Sequence, residues 1–329
     1  MVYKECKNAD TFEGASHETL VSEGYTATRL MQDEGFERGF YVAKYDQTRT
    51  FLNHGTFRDY CTTDEKPLWG IAPWWVGYDL YENRDKTTDK YTFKDDREVS
   101  TIVYNPHEKS VLMRLDATKV FNGLSYDKYI ESGGKWWPHL LVEQARGVCP
   151  FDKERNTAAG DRMFVEVNVR IPDYKHTVNP EGSNVCGYFI YFYLKSDKDP
   201  EKLIWFGLDL LTTLSASENR VPSWSRDSAA RQFMYKIPMA EVYDGIENSF
   251  NPEKDVVAVG NEWKHVRLDV TRHIETAVEW ANRDKAFDAP ITKKDMFFAG
   301  VNIGFEIWGN IDCTVEFKNF NMISYNKGE

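Results

Sequence analysis

The sequence predicts an all-β fold: an antiparallel two-sheet β-sandwich, jelly-roll or concanavalin-like, with one short helix near 272–286. Two observations carry this. Apolar and polar residues alternate with a period of two in many segments, while a helical period appears convincingly once. The strand candidates are unevenly spaced, with long loops between them, as in jelly rolls. A chain of 329 residues, 41% hydrophobic, can bury a large core without disulfide staples. On this reading 1–329 is one large sandwich domain, and residues 1–60, which lack strong periodicity, add strands and loops packed on it.

Short strands are expected at 38–45, 74–81, 99–104, 111–116 and 136–144, with small helical turns near 125–132 and 238–244. The polar clusters at 82–98 and 195–202 read as solvated loops. Along 161–171, Met163, Val165, Val167, Val169 and Ile171 fall on one face. Residues 188–194, YFIYFYL, are aromatic on both faces, which predicts a strand covered twice, and 203–213 reads the same way. In 263–270, Val266, Leu268 and Val270 point inward. Thr271 is positioned to cap a helix whose stripe is Ile274, Ala277, Val278 and Ala281. Strands at 297–308 and 311–325 follow.

Composition narrows the partners. A formal net charge of −11 and the lack of a basic patch argue against nucleic acid. No run of roughly 18 apolar residues predicts a membrane span. The first residues lack a signal-peptide layout. Cys6, Cys61, Cys149, Cys186 and Cys313 are widely spaced and form no CxxC, so neither a disulfide framework nor a zinc site is predicted. No cofactor is predicted; a structural Ca²⁺, frequent on such sandwiches, has no legible ligand set. Oligomeric state is left open.

The informative number is 15% aromatic residues, with 10 Trp and 18 Tyr. Amphipathic rings in excess suit a surface that stacks on sugars; the alternative is a thick aromatic core. Three segments concentrate them. In FFAGVNIGFEIWG (297–309), Phe297, Ala299, Val301, Ile303, Phe305 and Ile307 form a core face. Phe298, Gly300, Asn302, Gly304, Glu306 and Trp308 form the other, where glycines imply a close approach to the backbone. A sugar would supply that approach, with Trp308 as platform and Asn302 and Glu306 as hydrogen-bonding groups; crowding under a loop is the other explanation. In KWWPHLLVEQ (135–144), Trp137, His139, Leu141 and Glu143 share a face and Trp136 takes the opposite one. His139 is equally explained as a satisfied interior histidine. In PLWGIAPWWVGYDLY (67–81), Trp69, Trp74, Trp75 and Tyr78 crowd a Gly/Pro-punctuated stretch, and Trp224 with Arg226 occupies a polar loop.

No GxSxG, GxGxxG, P-loop, HExxH or EF-hand pattern occurs. Glu143 and Glu306 are the candidate acid/base pair. A gap of roughly 5 Å suits retaining glycoside hydrolysis, and one up to roughly 9.5 Å suits inversion.

The segments WFGLDL (205–210), WKHVRLDV (263–270), the helix after it, GVNIGFEIWG (300–309) and VEFKNFNMIS (315–324), with WWPHLLVEQ (136–144), resemble a loose group of bacterial β-sandwich proteins of polysaccharide-degrading systems. The resemblance implies a carbohydrate role and carries no catalytic motif. Two functions are therefore expected. One is polysaccharide binding through Trp69, Trp74, Trp75, Tyr78, Trp137, Trp224, Arg226, Asn302 and Trp308. The other is a glycoside hydrolase or polysaccharide lyase using Glu143, Glu306 and His139. Either role implies an extracellular or cell-surface site of action. A structural protein with its tryptophans in the core is the third reading.

Overall fold

The computed structural model describes residues 4–5, 17–44, 55–57, 61, 64–83, 90–134, 136–152, 154, 159–176, 184–213, 221–227, 230–246, 250–251 and 256–327. The chain first forms β1 (Lys4–Glu5), α1 (His17–Ser22), β2 (Tyr25–Arg29), β3 (Phe40–Val42), β4 (Gly55–Phe57) and β5 (Trp69–Ala72). A meander follows, β6 (Tyr81–Asn83), β7 (Tyr91–Lys94), β8 (Ser100–Asn105) and β9 (Ser110–Asp116). Helices α2 (Thr118–Phe121) and α3 (Tyr126–Glu131) lead to the long strands β10 (His139–Val148), β11 (Arg162–His176), β12 (Val185–Ser196) and β13 (Asp199–Thr212). Then come β14 (Ser223–Arg226), β15 (Phe233–Ile237), α4 (Met239–Val242) and the small pair β16 (Phe250–Asn251) and β17 (Val256–Val257). β18 (Gly260–Asp269), α5 (Thr271–Arg283), β19 (Met296–Trp308) and β20 (Ile311–Lys327) follow.

Among the described residues the strands build two large sheets. Sheet I has the order β1-β14-β15-β13-β12-β19-β10-β5-β3-β4, and sheet II the order β18-β11-β20-β9-β8-β7-β6, with β2 also on β20. Pairing is antiparallel except for β13 with β15 and β3 with β5, which are parallel. The sandwich expected from the alternation is therefore present, with a mixed sheet I. From the first 60 residues, β2 joins sheet II and β1, β3 and β4 join sheet I; much of the remainder lies outside the described residues.

The core lies between the sheets. From sheet I come Leu140, Val142, Ile190, Phe192, Leu208, Ile303 and Phe305; from sheet II come Met113, Val165, Val167, Val315, Phe317 and Met322, all inaccessible to solvent. Phe192 stacks on Phe320 across the gap at 6.3 Å, and the Tyr188 hydroxyl reaches Met113 Sδ at 3.4 Å. Each such side chain contributes about 1.5–3 kcal/mol by leaving water. No helix is long and apolar enough to cross a membrane.

Several expectations need correction. A strand over 74–81 is replaced by β5 and β6 joined by a turn, because Trp75 (φ 58°) and Gly77 (φ 84°) both lie in the left-handed region. The segment 82–98 is not all loop: β7 lies in it, held by the fully buried Phe93. Residues 195–202 are a tight hairpin in which β12 ends and β13 begins. Thr271 is the first residue of α5 and not its cap; its hydroxyl accepts from the Met163 amide (2.8 Å) and donates to Asp269 (2.6 Å), tying the helix to β11. The stripe Ile274, Ala277, Val278 and Ala281 is buried as expected. In β19 the expected faces hold only from Gly300 onward. A bulge at Ala299 puts Phe298 in the core and leaves Phe297 and Ala299 half-buried.

Gly304 marks the tightest strand contact in the part of β19 that carries the site. A Cβ there would run into the Leu140 carbonyl oxygen on β10, which the ladder holds in place. Gly304→Ala should lower stability by more than about 2 kcal/mol, read as a fall in the urea midpoint at unchanged m-value.

Candidate functional site

The register of sheet I sorts its outer face, the one turned away from the core, into rows. One row is His139, Glu306 and Gly187; the next is Ala72, Leu141, Gly304, Phe189 and Asp209. The third is Gly70, Glu143, Asn302, Tyr191, Gly207 and Lys236, and the fourth is Ala145, Gly300, Tyr193, Trp205 and Met234. Small residues and rings alternate for a steric reason. A Cβ on Gly187 would strike the Phe189 ring, one on Gly207 would lie 2.5 Å from the Tyr191 ring, and one on Gly300 would lie 3.2 Å from that of Tyr193. The glycines thus let rings recline on the sheet. The close approach expected at Gly300 comes from the Tyr193 ring and from the Gln144 carbonyl.

At one end of this face a group of indoles surrounds Glu306. Trp137 Nε1 donates to Glu306 Oε2 at 3.2 Å. His139 Nε2 lies 3.6 Å from Glu306 Oε1. His139 Nδ1 is 2.9 Å from the Trp137 carbonyl oxygen, which can only accept, so Nδ1 carries the proton. Burial lowers the pKa of His139, and the Glu306 carboxylate opposes that shift. Trp75 stacks on Trp136 at 5.3 Å and reaches His139 at 4.8 Å; Trp137 stacks on His139 at 5.6 Å and tilts against Trp308 at 5.1 Å. Trp74 contacts Trp75 at 6.4 Å. Trp136 is the most open of them, 40% exposed. The left-handed backbone of Trp75, uncommon for a bulky residue, is the local strain that turns its ring onto Trp136.

Further along the face, Glu143 is buried, and its Oε1 has no hydrogen-bond partner. Desolvation alone pushes its carboxyl up to about 7. Opposite it, Asn302 Nδ2 donates to the Tyr193 hydroxyl at 2.8 Å, leaving Asn302 Oδ1 without a partner. Ser225 Oγ, on β14 at the far side of the same face, is also unpartnered. Buried polar atoms left open cost about 1–3 kcal/mol each, and these three share one face, although others lie elsewhere in the sandwich, Arg267 Nε and Asn321 Nδ2 among them. Lys236 pairs with Asp209 at 3.1 Å and stands 4.4 Å over the Phe189 ring.

The structure therefore brings together Trp74, Trp75, Trp137, Trp308, His139 and Glu306, with Glu143 and Asn302 on the same face. It places four others elsewhere. Trp69 is fully buried in the core, donating to the Asp33 carbonyl at 2.9 Å, and cannot be a platform. Trp224 is buried on the inner side, stacked on Phe233 at 5.3 Å and packed on Trp280 of α5. Arg226 follows it to that side, where its Nε bonds Asp284 at 2.6 Å just past α5. Alternation along β14 sends both of these side chains away from the rows. Tyr78 packs against the core under the Arg97 guanidinium, 5.2 Å away. Sequence reasoning missed Trp136, because β10 begins only at His139 and the strand alternation does not apply before it. It also missed Phe189, Tyr191, Tyr193, Trp205, Asp209 and Lys236. Their signal was the aromatic run on both faces of 188–194.

No protein-family model and no curated protein matches this chain. Among solved structures, a family 12 xyloglucanase from Bacillus licheniformis is similar at 10% identity, covering 78% of this chain and 99% of that one, with a TM-score of 0.36. The family 11 xylanase from Neocallimastix patriciarum is 8% identical over 77% and 98% of the two chains, TM-score 0.36. Endoglucanase Cel12A from Rhodothermus marinus is 8% identical over 76% and 97%, TM-score 0.35. The β-sandwich of this chain stands on its own strand pairing. Among the described residues no group of three or more His, Cys, Asp or Glu side chains is placed to hold a metal ion.

Glu143 links the site to stability. Its carboxyl titrates near 4.5 in an unfolded chain and near 7 in the fold. Between those values the folded state holds more protons, so stability falls as pH rises, by up to about 3 kcal/mol. Urea unfolding at pH 5 and pH 8 should show this loss in the wild type and little of it in Glu143→Gln.

Proposed function

We propose that the outer face of sheet I binds a neutral polysaccharide and that the chain hydrolyses it, with Glu143 as proton donor and Glu306 as base. One observation carries the reading. A single sheet face holds a carboxyl that keeps its proton to near neutrality and, in the same run of rows, a carboxylate gripped by an indole N–H, among stacked rings and open acceptors. Carboxyls in contrasting environments are how one site runs acid and base chemistry together. The rings suit pyranose faces, and the open acceptors suit hydroxyls. Lys236, the cation of these rows among the described residues, is already paired with Asp209. That disfavours a lyase, which must neutralise a uronate. Action on a polysaccharide would place the protein outside the cell or at its surface.

The spacing sets the stereochemistry. Glu143 lies opposite Asn302, four residues along β19 from Glu306, so at roughly 3.3 Å per residue the two Cα atoms are about 14 Å apart on neighbouring strands. Carboxyls carried on Cα atoms this far apart meet only if both side chains lean together, so the wider gap of an inverting pair, up to roughly 9.5 Å with a water between, is the one within reach. A second reading, binding without cleavage, is favoured by a specific contact: Trp137 draws the Glu306 carboxylate toward the indoles, away from Glu143.

The two readings part on one experiment. With β-glucan, xylan and mannan as substrates, Glu143→Gln and Glu306→Gln should each reduce new reducing ends at least about 100-fold while binding, read from tryptophan fluorescence, persists. The first product should have inverted anomeric configuration by NMR, and activity should fall above about pH 7 as Glu143 loses its proton. Binding by the wild type without new reducing ends would establish the second reading.

The wall itself is tested separately. Trp75→Ala and Trp136→Ala should each weaken glycan binding about tenfold, the worth of one stacking contact. Unchanged affinity in both would remove the indole group from the binding surface.

A further inference from the structure

We propose that Glu306 and His139 share one proton, and that His139 is the positioning residue that sets the pH range over which Glu306 works. The geometry leaves little choice. His139 Nδ1 faces the Trp137 carbonyl at 2.9 Å and must donate to it. Nε2, left with its lone pair, lies 3.6 Å from Glu306 Oε1. Glu306 Oε2 already accepts from Trp137 Nε1 at 3.2 Å. A neutral imidazole and a carboxylate thus confront each other acceptor to acceptor, and a proton added to either is attracted to both. Trp137 holds both partners, His139 through its carbonyl and Glu306 through its indole, so the two cannot turn apart independently. Trp75 and Trp137 pack against the imidazole ring and keep the exchange out of bulk water.

The charged groups acting on His139 are Glu306 on β19 and, more weakly, Asp227 just after β14; Glu306 in turn acts on the Tyr193 hydroxyl on β12. Asp227 adds to the pull of Glu306 on a proton at His139. Among the described residues no cation acts on this imidazole.

The shared proton rests on geometry alone; its catalytic consequence rests on the proposed hydrolysis. In that reaction the water oxygen bonds to the anomeric carbon as the glycosidic C–O bond breaks. Glu143 gives its proton to the leaving oxygen. The water's proton goes to Glu306 Oε1 and on to His139 Nε2, leaving a carboxylate and an imidazolium that releases the proton to solvent.

The test has two arms on the full chain. In the first, the His139 imidazole is titrated by NMR in the wild type and in Glu306→Gln. Loss of the carboxylate should lower the His139 midpoint by about one pH unit or more. An unchanged midpoint overturns the shared proton whatever the enzyme does. In the second, pH–rate profiles are compared for the wild type, His139→Asn and His139→Gln. Asn keeps a donor for the Trp137 carbonyl, and Gln keeps an amide near the Nε2 position, but neither can take the proton. Both should move the acidic limb by at least about half a unit, because the proton taken from the water then has no imidazole to pass to. A lower rate with an unmoved limb in both variants overturns the positioning role. If the wild type hydrolyses nothing, the hydrolase reading fails, and the NMR arm still decides whether the proton is shared.

Discussion

The register between β10 and β19 is the constraint on which the candidate site depends. It places His139 beside Glu306 and Glu143 beside Asn302, with Leu140, Val142, Ile303 and Phe305 turned into the core. A slip of one residue would send the carboxyls inward and the core side chains outward. The register is fixed by burial on one side and by Gly304 on the other, where the β10 backbone comes too close for any side chain. Core packing and site geometry are thus consequences of the same ladder.

The outer face of sheet I solves a problem common to wide sheets, which expose a large surface on the side away from the core. Here the surface is covered with rings laid over glycines, Phe189 over Gly187, Tyr191 over Gly207 and Tyr193 over Gly300. Reclining rings bury much of the face without an overlying layer of side chains, and this leaves Glu143 desolvated. The upward shift of its carboxyl therefore follows from how the sheet is paved. No neighbouring charge contributes to it.

Much of this was legible in the sequence. Alternation located the long strands and the polar face of 300–308, and grouped His139, Leu141 and Glu143 correctly, because a regular ladder preserves a period of two. It failed where the ladder is broken. The bulge at Ala299 inverted the faces of Phe297 and Phe298, and the turn before β10 freed Trp136 from the alternation. Tryptophan identity alone was a poor guide. Trp69 has a glycine neighbour and Trp224 is flanked by serines, yet both fill the core, because the sheet that each joins sets its direction. The gap between Glu143 and Glu306 was invisible too, since it depends on which residues pair and not on which residues are present.

The two solvent-side faces of the sandwich answer the same physics in opposite ways. On sheet II many charged groups are paired: Glu166 lies within 4.0 Å of Arg29, His265 and Arg267, Arg114 grips Asp312 at 2.8 Å, and Arg170 binds Glu316 at 2.5 Å, while Arg267 Nε and Asn321 Nδ2 stay open. On sheet I, Glu143 Oε1, Asn302 Oδ1 and Ser225 Oγ are buried and open. Such groups lower stability, and a core that spans both sheets can tolerate the loss. What sets sheet I apart is that its open carboxyl is one that burial holds protonated, at the other end of the same face from the strained backbone of Trp75.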